Sequence, residues 1–384
     1  MRINLSTVPL IDTHCHKFVR EREPAEFARV VSLSSDPHPI EDDQSMLVYD
    51  LLIQRMRRLY QLPVGTPDDE VIAERNRRYD ADPAGYAAAL RKASGVQYHC
   101  YDIGSPVSGD MNTPEQDAWF DRVAEPESVK VITRIEPVMR ELFAQKLSFS
   151  EFLTEFDKRV RSDIEKHHAI ALKSVIGYHT GLDVELVDAA TAQKGYEAYL
   201  AGEGGEAAEK AIRDYMIPLS LEICKEFDIP MQFHTGIGSA PMCDLRKMRP
   251  ASLRRIINDD RFKGKVKIVL LHAGYPWVEE TGLLVNNFSH VYSDFSSMIY
   301  SAGTAGYRSI LAMLEAAPTN KIMYASDAGG EPESLWHAAL HFKDQLAKAL
   351  EYYIAEDVIG YERAMQIAKN ICHDNALRVY SRLQ

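Results

Sequence analysis

Eight short stretches rich in β-branched and apolar residues recur along the chain, separated by longer stretches with helical spacing. That alternation restricts the fold more than any other feature. They lie near Leu10–His14, Val96–Asp102, Val129–Glu136, Ile170–Gly177, Met231–Thr235, Val266–His272, Val291–Ser296 and Ile322–Asp327. Parallel neighbours need a crossover between strands, and helices supply it. Eight such units predict an α/β fold of the closed (β/α)8 TIM-barrel type, whose active site lies at the C-terminal ends of the strands. The 384 residues exceed one average domain, yet a barrel with an insertion reaches this size, so one domain over 1–384 is expected.

The connection between the first and second strands, roughly residues 17–95, is too long for a bare loop. Within it Val48, Leu52, Met56 and Leu59 form an apolar stripe flanked by Arg55, Arg57 and Arg58. The expectation is a helical cap over the barrel mouth, because the first βα connection emerges on that face. Packing on the barrel's side or a dimer contact is the alternative. Helix starts are marked at Ser148-Phe149-Ser150-Glu151, which has capping-box spacing, and at Thr66-Pro67 and Asp82-Pro83. After Asp327, two helical stretches around 331–355 and 361–382 complete the outer ring.

The formal net charge of −12 argues against nucleic acid or an acidic membrane surface as partner and suits a small-molecule substrate. Five scattered cysteines with no Cys-x-x-Cys pair indicate neither a disulfide framework nor a thiolate zinc site, and point to a reducing, cytoplasmic setting. The first nine residues lack the apolar core of a signal peptide, and no apolar run approaches the roughly 20 residues of a membrane span. A homo-oligomer stays open.

Polar residues cluster where the strands end. In Ile11-Asp12-Thr13-His14-Cys15-His16 the two-residue period of a strand places His14 and His16 on one face. Gln232-Phe233-His234, Leu270-Leu271-His272 and Ala325-Ser326-Asp327 end three further strands. Alternation turns His234 inward with Gln232, and Asp327 inward with Met323 and Ala325. Three imidazoles and a carboxylate at a common rim suit a borderline divalent cation, most readily Zn²⁺, with room for water. Such a cation lowers the pKa of bound water and polarises a carbonyl. Asp327 would bind the metal through one oxygen and take the water's proton on the other. His272 would stabilise an oxyanion or move a proton.

With these residues the chain resembles the amidohydrolase superfamily, in its amidohydrolase-2 division, which also contains metal-dependent decarboxylases. The resemblance rests on Asp12-Thr13-His14-Cys15-His16, His234, His272-Ala273-Gly274, Asp327 and the segment Asn375-Ala376-Leu377-Arg378-Val379-Tyr380. Thr133-Arg134-Ile135-Glu136, Leu172-Lys173-Ser174-Val175-Ile176-Gly177-Tyr178-His179-Thr180-Gly181-Leu182 and Phe233-His234-Thr235-Gly236 are similar to the FluG-like branch. That branch includes the amidohydrolase-like half of some glutamine-synthetase fusions; no synthetase segment is present here, so ligase activity is not implied. The resemblance implies His14, His16, His234 and Asp327 as metal residues and His272 as the neighbouring catalytic histidine. In binuclear relatives a carboxylated lysine of the fourth strand bridges two metals, which implies a second ion if Lys173 plays that part. The alternative is a substrate-facing or buried, paired cation. His179 departs from the arginine expected there, which leaves the substrate preference open.

Arg134 and Glu136 share the predicted inward face of the third strand and Lys173 faces inward from the fourth, so two cations near the metal suggest an anionic, carboxylate-bearing substrate. Mutual pairing inside the barrel is the competing reading. Tyr178, His179 and Trp277 follow strand ends and could line the pocket, and Asp294 could orient His272 or a ligating histidine. The leading expectation is hydrolysis of a C–N, amide-type bond. A decarboxylase or a uronate-isomerase-like activity on the same scaffold is the runner-up, and metal binding without turnover is a third reading.

Overall fold

The computed structural model describes residues 2–18, 24–34, 36–104, 114–239, 242–298 and 303–383. Eight parallel strands follow one another around a nearly closed barrel in sequence order: β1 (Leu10–Cys15), β2 (Val96–Asp102), β3 (Val129–Arg134), β4 (Ala171–Ser174), β5 (Met231–Phe233), β6 (Ile268–Leu270), β7 (Val291–Asp294) and β8 (Ile322–Met323). The expected TIM barrel is therefore present. The eighth strand meets the first through Thr13 N donating to Tyr324 O (3.2 Å), Asp327 N to His14 O (2.9 Å) and His16 N to Ala328 O (2.7 Å). This seam carries Asp327 to the two histidines of β1.

Apolar alternation explains how the strands sit. Leu10, Leu172, Met231, Phe233, Leu270, Val291, Ile322 and Tyr324 join one large core with the surrounding helices. Ile11, Cys100, Ile132, Ala171, Val269 and Met323 form a second core with Ala376, Val379, Tyr380 and Leu383 of the C-terminal segment. Gln232 ties the two ends of the chain together, its Nε2 donating to Thr13 O and to the Tyr380 hydroxyl, each at 2.9 Å.

Most strands are shorter than the sequence suggests. β3 stops at Arg134, and Glu136 lies in the first turn of a helix, Ile135–Gln145, instead of on the strand. Beyond β4 the chain turns into a short 3₁₀ segment, Ile176–Tyr178. His272 and Asp327 both fall past the ends of their strands, so strand alternation does not orient them. They take left-handed backbone angles instead, φ 65° and 55°, as does Ser297 at 60°. Non-glycine residues hold such angles only where their surroundings dictate them.

Helix signals fare unevenly. Ser148 and Glu151 form the reciprocal capping box at the start of Phe149–His167, and Asp82 caps Pro83–Ser94 through Gly85 N. Thr66 instead bonds back to Pro63 O, leaving Asp68–Ala81 without a side-chain cap. The last helical stretch runs Tyr361–Lys369 and Asn375–Val379, joined by a π-turn at Asn370–Asp374.

Within the insertion, four α-helices (Ile40–Gln44, Leu47–Leu59, Asp68–Ala81, Pro83–Ser94) build a satellite core. Val48, Leu52 and Met56 are buried there with Trp336 and Ala338 of the helix Pro332–Ala355. Arg55 is buried rather than solvated, bonding Asp344 at 2.6 Å. The buried Arg75–Glu333 pair, 2.6 Å between Nε and Oε1, fastens the same helices together, with the Tyr86 hydroxyl donating to Glu333 Oε1 at 2.8 Å. Among the described residues no helix is long and apolar enough to cross a membrane.

His99 of β2 is fully buried, and neither ring nitrogen has a hydrogen-bond partner. Burial, then the Arg91 charge, lowers its pKa to about 3. A histidine lowered in the fold binds fewer protons there than in the unfolded chain between about pH 3 and 6.5. It therefore costs stability as pH falls below 6.5. Urea unfolding of His99→Leu is expected to lose about 2 kcal/mol less than wild type between pH 6.5 and 5. Equal losses in both proteins would show that His99 does not titrate as the burial implies.

Candidate metal centre

Three side chains from the closing seam converge. His14 Nε2 and His16 Nε2 each lie 3.2 Å from Asp327 Oδ1, and one donor atom from each of the three residues lies within 4.8 Å of the other two. His14 is fully buried, and the Nδ1 atoms of both histidines have no hydrogen-bond partner. Gly329 packs so closely on His16 that a Cβ there would come within 2.7 Å of the His16 Cβ. Burial, then the Lys173 charge, lowers the His14 pKa to about 3, so its imidazole is neutral, the form in which a histidine binds a cation. Burial alone would raise Asp327, but His272 and hydrogen bonds from His14 and His16 bring it well below the usual range. The neutral His14 imidazole, the His16 imidazole and the Asp327 carboxylate are a donor set that fits a divalent metal of the zinc type.

His234, expected as a fourth ligand, stands apart from this set. Its Nε2 lies 2.8 Å from Ile237 O and its Nδ1 2.9 Å from His272 Nε2. A carbonyl only accepts, so His234 carries its proton on Nε2 and its Nδ1 accepts from His272. Both lone-pair positions that could face a metal are thus engaged. His234 nonetheless lines the same cavity of about 170 Å³ as His16, Arg134, Lys173, Tyr178 and Asp327.

His272 sits one layer behind that cavity, buried, with Nδ1 at 2.7 Å from Ser296 Oγ and 3.3 Å from Ser297 Oγ. Ser297 also donates to Asp327 Oδ2. Asp294 holds this arrangement from below: its Oδ1 accepts from His272 N and Ser296 N at 3.0 Å and from Ser296 Oγ at 2.5 Å. It positions His272 through the backbone and Ser296 rather than by touching the ring. Burial, against the opposing Asp327 charge, lowers the His272 pKa to about 4, so this ring too is neutral at pH 7.

Lys173 is buried, yet it reaches the centre: its Nζ lies 2.7 Å from His14 Nε2 and 3.2 Å from Asp102 Oδ2. Burial, only partly offset by Asp102, lowers its pKa. Arg134 grips the same Asp102 oxygen through Nε (3.0 Å) and Nη2. Burial would raise Asp102, but Arg134 and then Lys173 outweigh it and hold it ionised. The two predicted substrate cations are therefore both paired inside the barrel, while still facing the cavity. Tyr178 packs 4.5 Å from the His234 ring and accepts from Ser239 N at 3.2 Å. His179 lines a neighbouring cavity, whereas Trp277 lines neither and begins the helix Val278–Asn287.

Four residues of this network escaped sequence reading. Asp102 ends β2 as His234 follows β5, and that position was its available signal. Ser296, Ser297 and Ser326 carry no pattern of their own. Ser326 donates from N (2.9 Å) and Oγ (2.5 Å) to Asp12, whose carboxyl is pushed up to about 7 by burial.

Comparison with known proteins agrees with the barrel fold. Residues 205–382 match the amidohydrolase family. Over 99% of its length the chain is 26% identical to protein fluG of Emericella nidulans, and it spans 46% of that relative, about half its length. A crystal structure from Lactobacillus casei, named among metal-dependent hydrolases, superposes with a TM-score of 0.83 at 24% identity, covering 100% of this chain and 98% of the other. A uronate isomerase from Thermotoga maritima gives 0.68 at 15% identity, over 98% and 95% of the two chains. These matches bear out the amidohydrolase resemblance carried by the strand-end motifs, over residues 205–382 in the family match and over nearly the whole chain in the fluG-type relative.

Proposed function

We propose that the chain is a metal-dependent hydrolase that cleaves the C–N bond of a small amide bearing a carboxylate. The observation that carries this reading is the convergence of His14, His16 and Asp327 on one point beside a cavity edged by Lys173 and Arg134. Those three residues would hold the cation, most readily Zn²⁺. When bound, it supplies an activated water and an electrophile for the substrate carbonyl. Asp327 would help hold that cation, and its Oδ2, already accepting from Ser297, is the oxygen placed to take a proton. The neutral His272 would exchange that proton with Ser297, whose Oγ lies 3.3 Å from its Nδ1, while its Nε2 faces His234 Nδ1. Lys173 and Arg134 share one ion-pair partner, Asp102, and place two positive charges at the cavity, which favours a substrate with negative charge near the centre. A lysine amine 2.7 Å from a ligand atom also repels a cation unless it is neutral or carboxylated, so a second ion belongs with carboxylation of Lys173.

Product analysis tests the reaction class. Zinc-loaded protein incubated with carboxylate-bearing amides and dipeptide-like compounds is expected to release ammonia or amine, and chelation should stop the release. Carbon dioxide release from carboxylated aromatic compounds would point to a decarboxylase. Conversion of a uronate to its keto isomer would point to an isomerase. Either result without amide cleavage would displace the hydrolase reading.

A further inference from the structure

The metal cavity shares Arg134, Val175, Tyr178 and Met242 with a second cavity of about 400 Å³, so Tyr178 and Arg134 form a wall common to both. The outer cavity holds opposite charges in near balance. Arg213 is buried, and Glu209 takes only its Nε, at 2.6 Å. Its two terminal nitrogens make no hydrogen bond among the described residues, and its guanidinium lies 5.8 Å from the Phe143 ring. Arg140 lines the same space with no ion-pair partner among the described residues. His179 adds no charge, since burial and then Arg213 bring it to about 4.

The same cavity is lined by Glu136, only 7% exposed and four residues before Arg140 on the helix Ile135–Gln145. Its Oε1 is fully used, accepting from Ser174 Oγ at 2.6 Å and Val175 N at 2.8 Å. Its Oε2 is buried and has no partner. A buried carboxylate oxygen left without a donor is costly, and a ligand that brings one repays the cost. Free guanidinium nitrogens lining the same space suit a carboxylate, which they bind through paired, charge-assisted hydrogen bonds.

We propose that this outer cavity binds the head of an α-amino acid, its carboxylate on Arg213 and Arg140 and its ammonium on Glu136 Oε2. The side chain then passes Tyr178 and presents a terminal amide to the metal centre. This assignment rests on the hydrolase reading and names its substrate class: side-chain amides of acidic amino acids. Hydrolysis breaks the amide C–N bond, water's oxygen joins the carbonyl carbon, and its protons leave with the amine and the new carboxyl group.

Calorimetric titration of the zinc-loaded full chain tests the subsite without turnover as its only readout. The probes are L-glutamine and L-asparagine, their analogues without the ammonium (glutaramate, succinamate), and those without the carboxylate (γ-aminobutyramide, β-alaninamide). At least one amino acid is expected to bind about tenfold more tightly than both of its analogues. Glu136→Gln should erase its advantage over the compound lacking ammonium, and R213Q or the exposed-site variant R140Q its advantage over the compound lacking carboxylate. Equal binding of all six compounds, tighter binding of an analogue, or no binding at all would overturn the proposal. Head-group selectivity without amide cleavage would retain the subsite and remove the hydrolase reading, whereas cleavage without selectivity would do the reverse.

Discussion

Asp327→Asn is expected to purify as a folded barrel that has lost its metal and its turnover together. Asp327 Oδ1 is the point at which His14 and His16 converge, at 3.2 Å from each. A carboxamide removes the negative charge that anchors a divalent cation there. The substitution spares the fold for two reasons. The backbone bond from residue 327 to His14 O is unchanged, and asparagine tolerates the left-handed φ of 55° better than other residues. Metal affinity should fall by more than the roughly 10–100-fold typical of an outer partner. Metal analysis after dialysis and a thermal melt check both halves of the expectation. A variant that keeps its metal would place the centre elsewhere.

His272→Asn should give the complementary result, with metal retained and kcat lowered by about 10²–10⁴-fold, the range for loss of a group that moves a proton in the reaction. The ring lies behind the cavity and touches His234, Ser296 and Ser297, with its Nδ1 3.8 Å from Asp327 Oδ2, so its removal takes no hydrogen bond from His14, His16 or Asp327. Asparagine again accepts the positive φ, here 65°. Rate and metal content together separate two roles. A loss confined to about 10–100-fold would mark His272 as a residue that positions its neighbours. A kcat profile whose acidic limb disappears in the variant would mark it as the group that titrates.

Much of the fold was readable because a buried parallel sheet writes itself into the chain as apolar runs. β2 falls at the predicted residues, and the outward faces of β5 and β8 follow the predicted alternation. The site was readable only in part, for a geometric reason. Strand periodicity reaches as far as the strand does, and β6 and β8 stop at Leu270 and Met323, short of His272 and Asp327. Left-handed turns and the seam to β1 aim those side chains, and neither has a sequence period. Partnerships were hidden for a similar reason. Arg134 and Lys173 were recognisable as inward cations, but that both would share Asp102 depends on three strands meeting in register. Glu136 changed element altogether because the helix begins one residue after Arg134. His234 was found as a rim residue, while its bonds to Ile237 and His272 depend on a loop that follows the strand.

The central claim is that His14, His16 and Asp327 hold a divalent cation on which amide cleavage depends. Elemental analysis of the purified full chain, paired with turnover before and after chelation, tests it most directly. About one zinc-type ion per chain is expected, or about two where Lys173 is carboxylated, with activity that falls on chelation and returns when metal is restored. A chain stripped of metal that still cleaves its substrate at the full rate would contradict it.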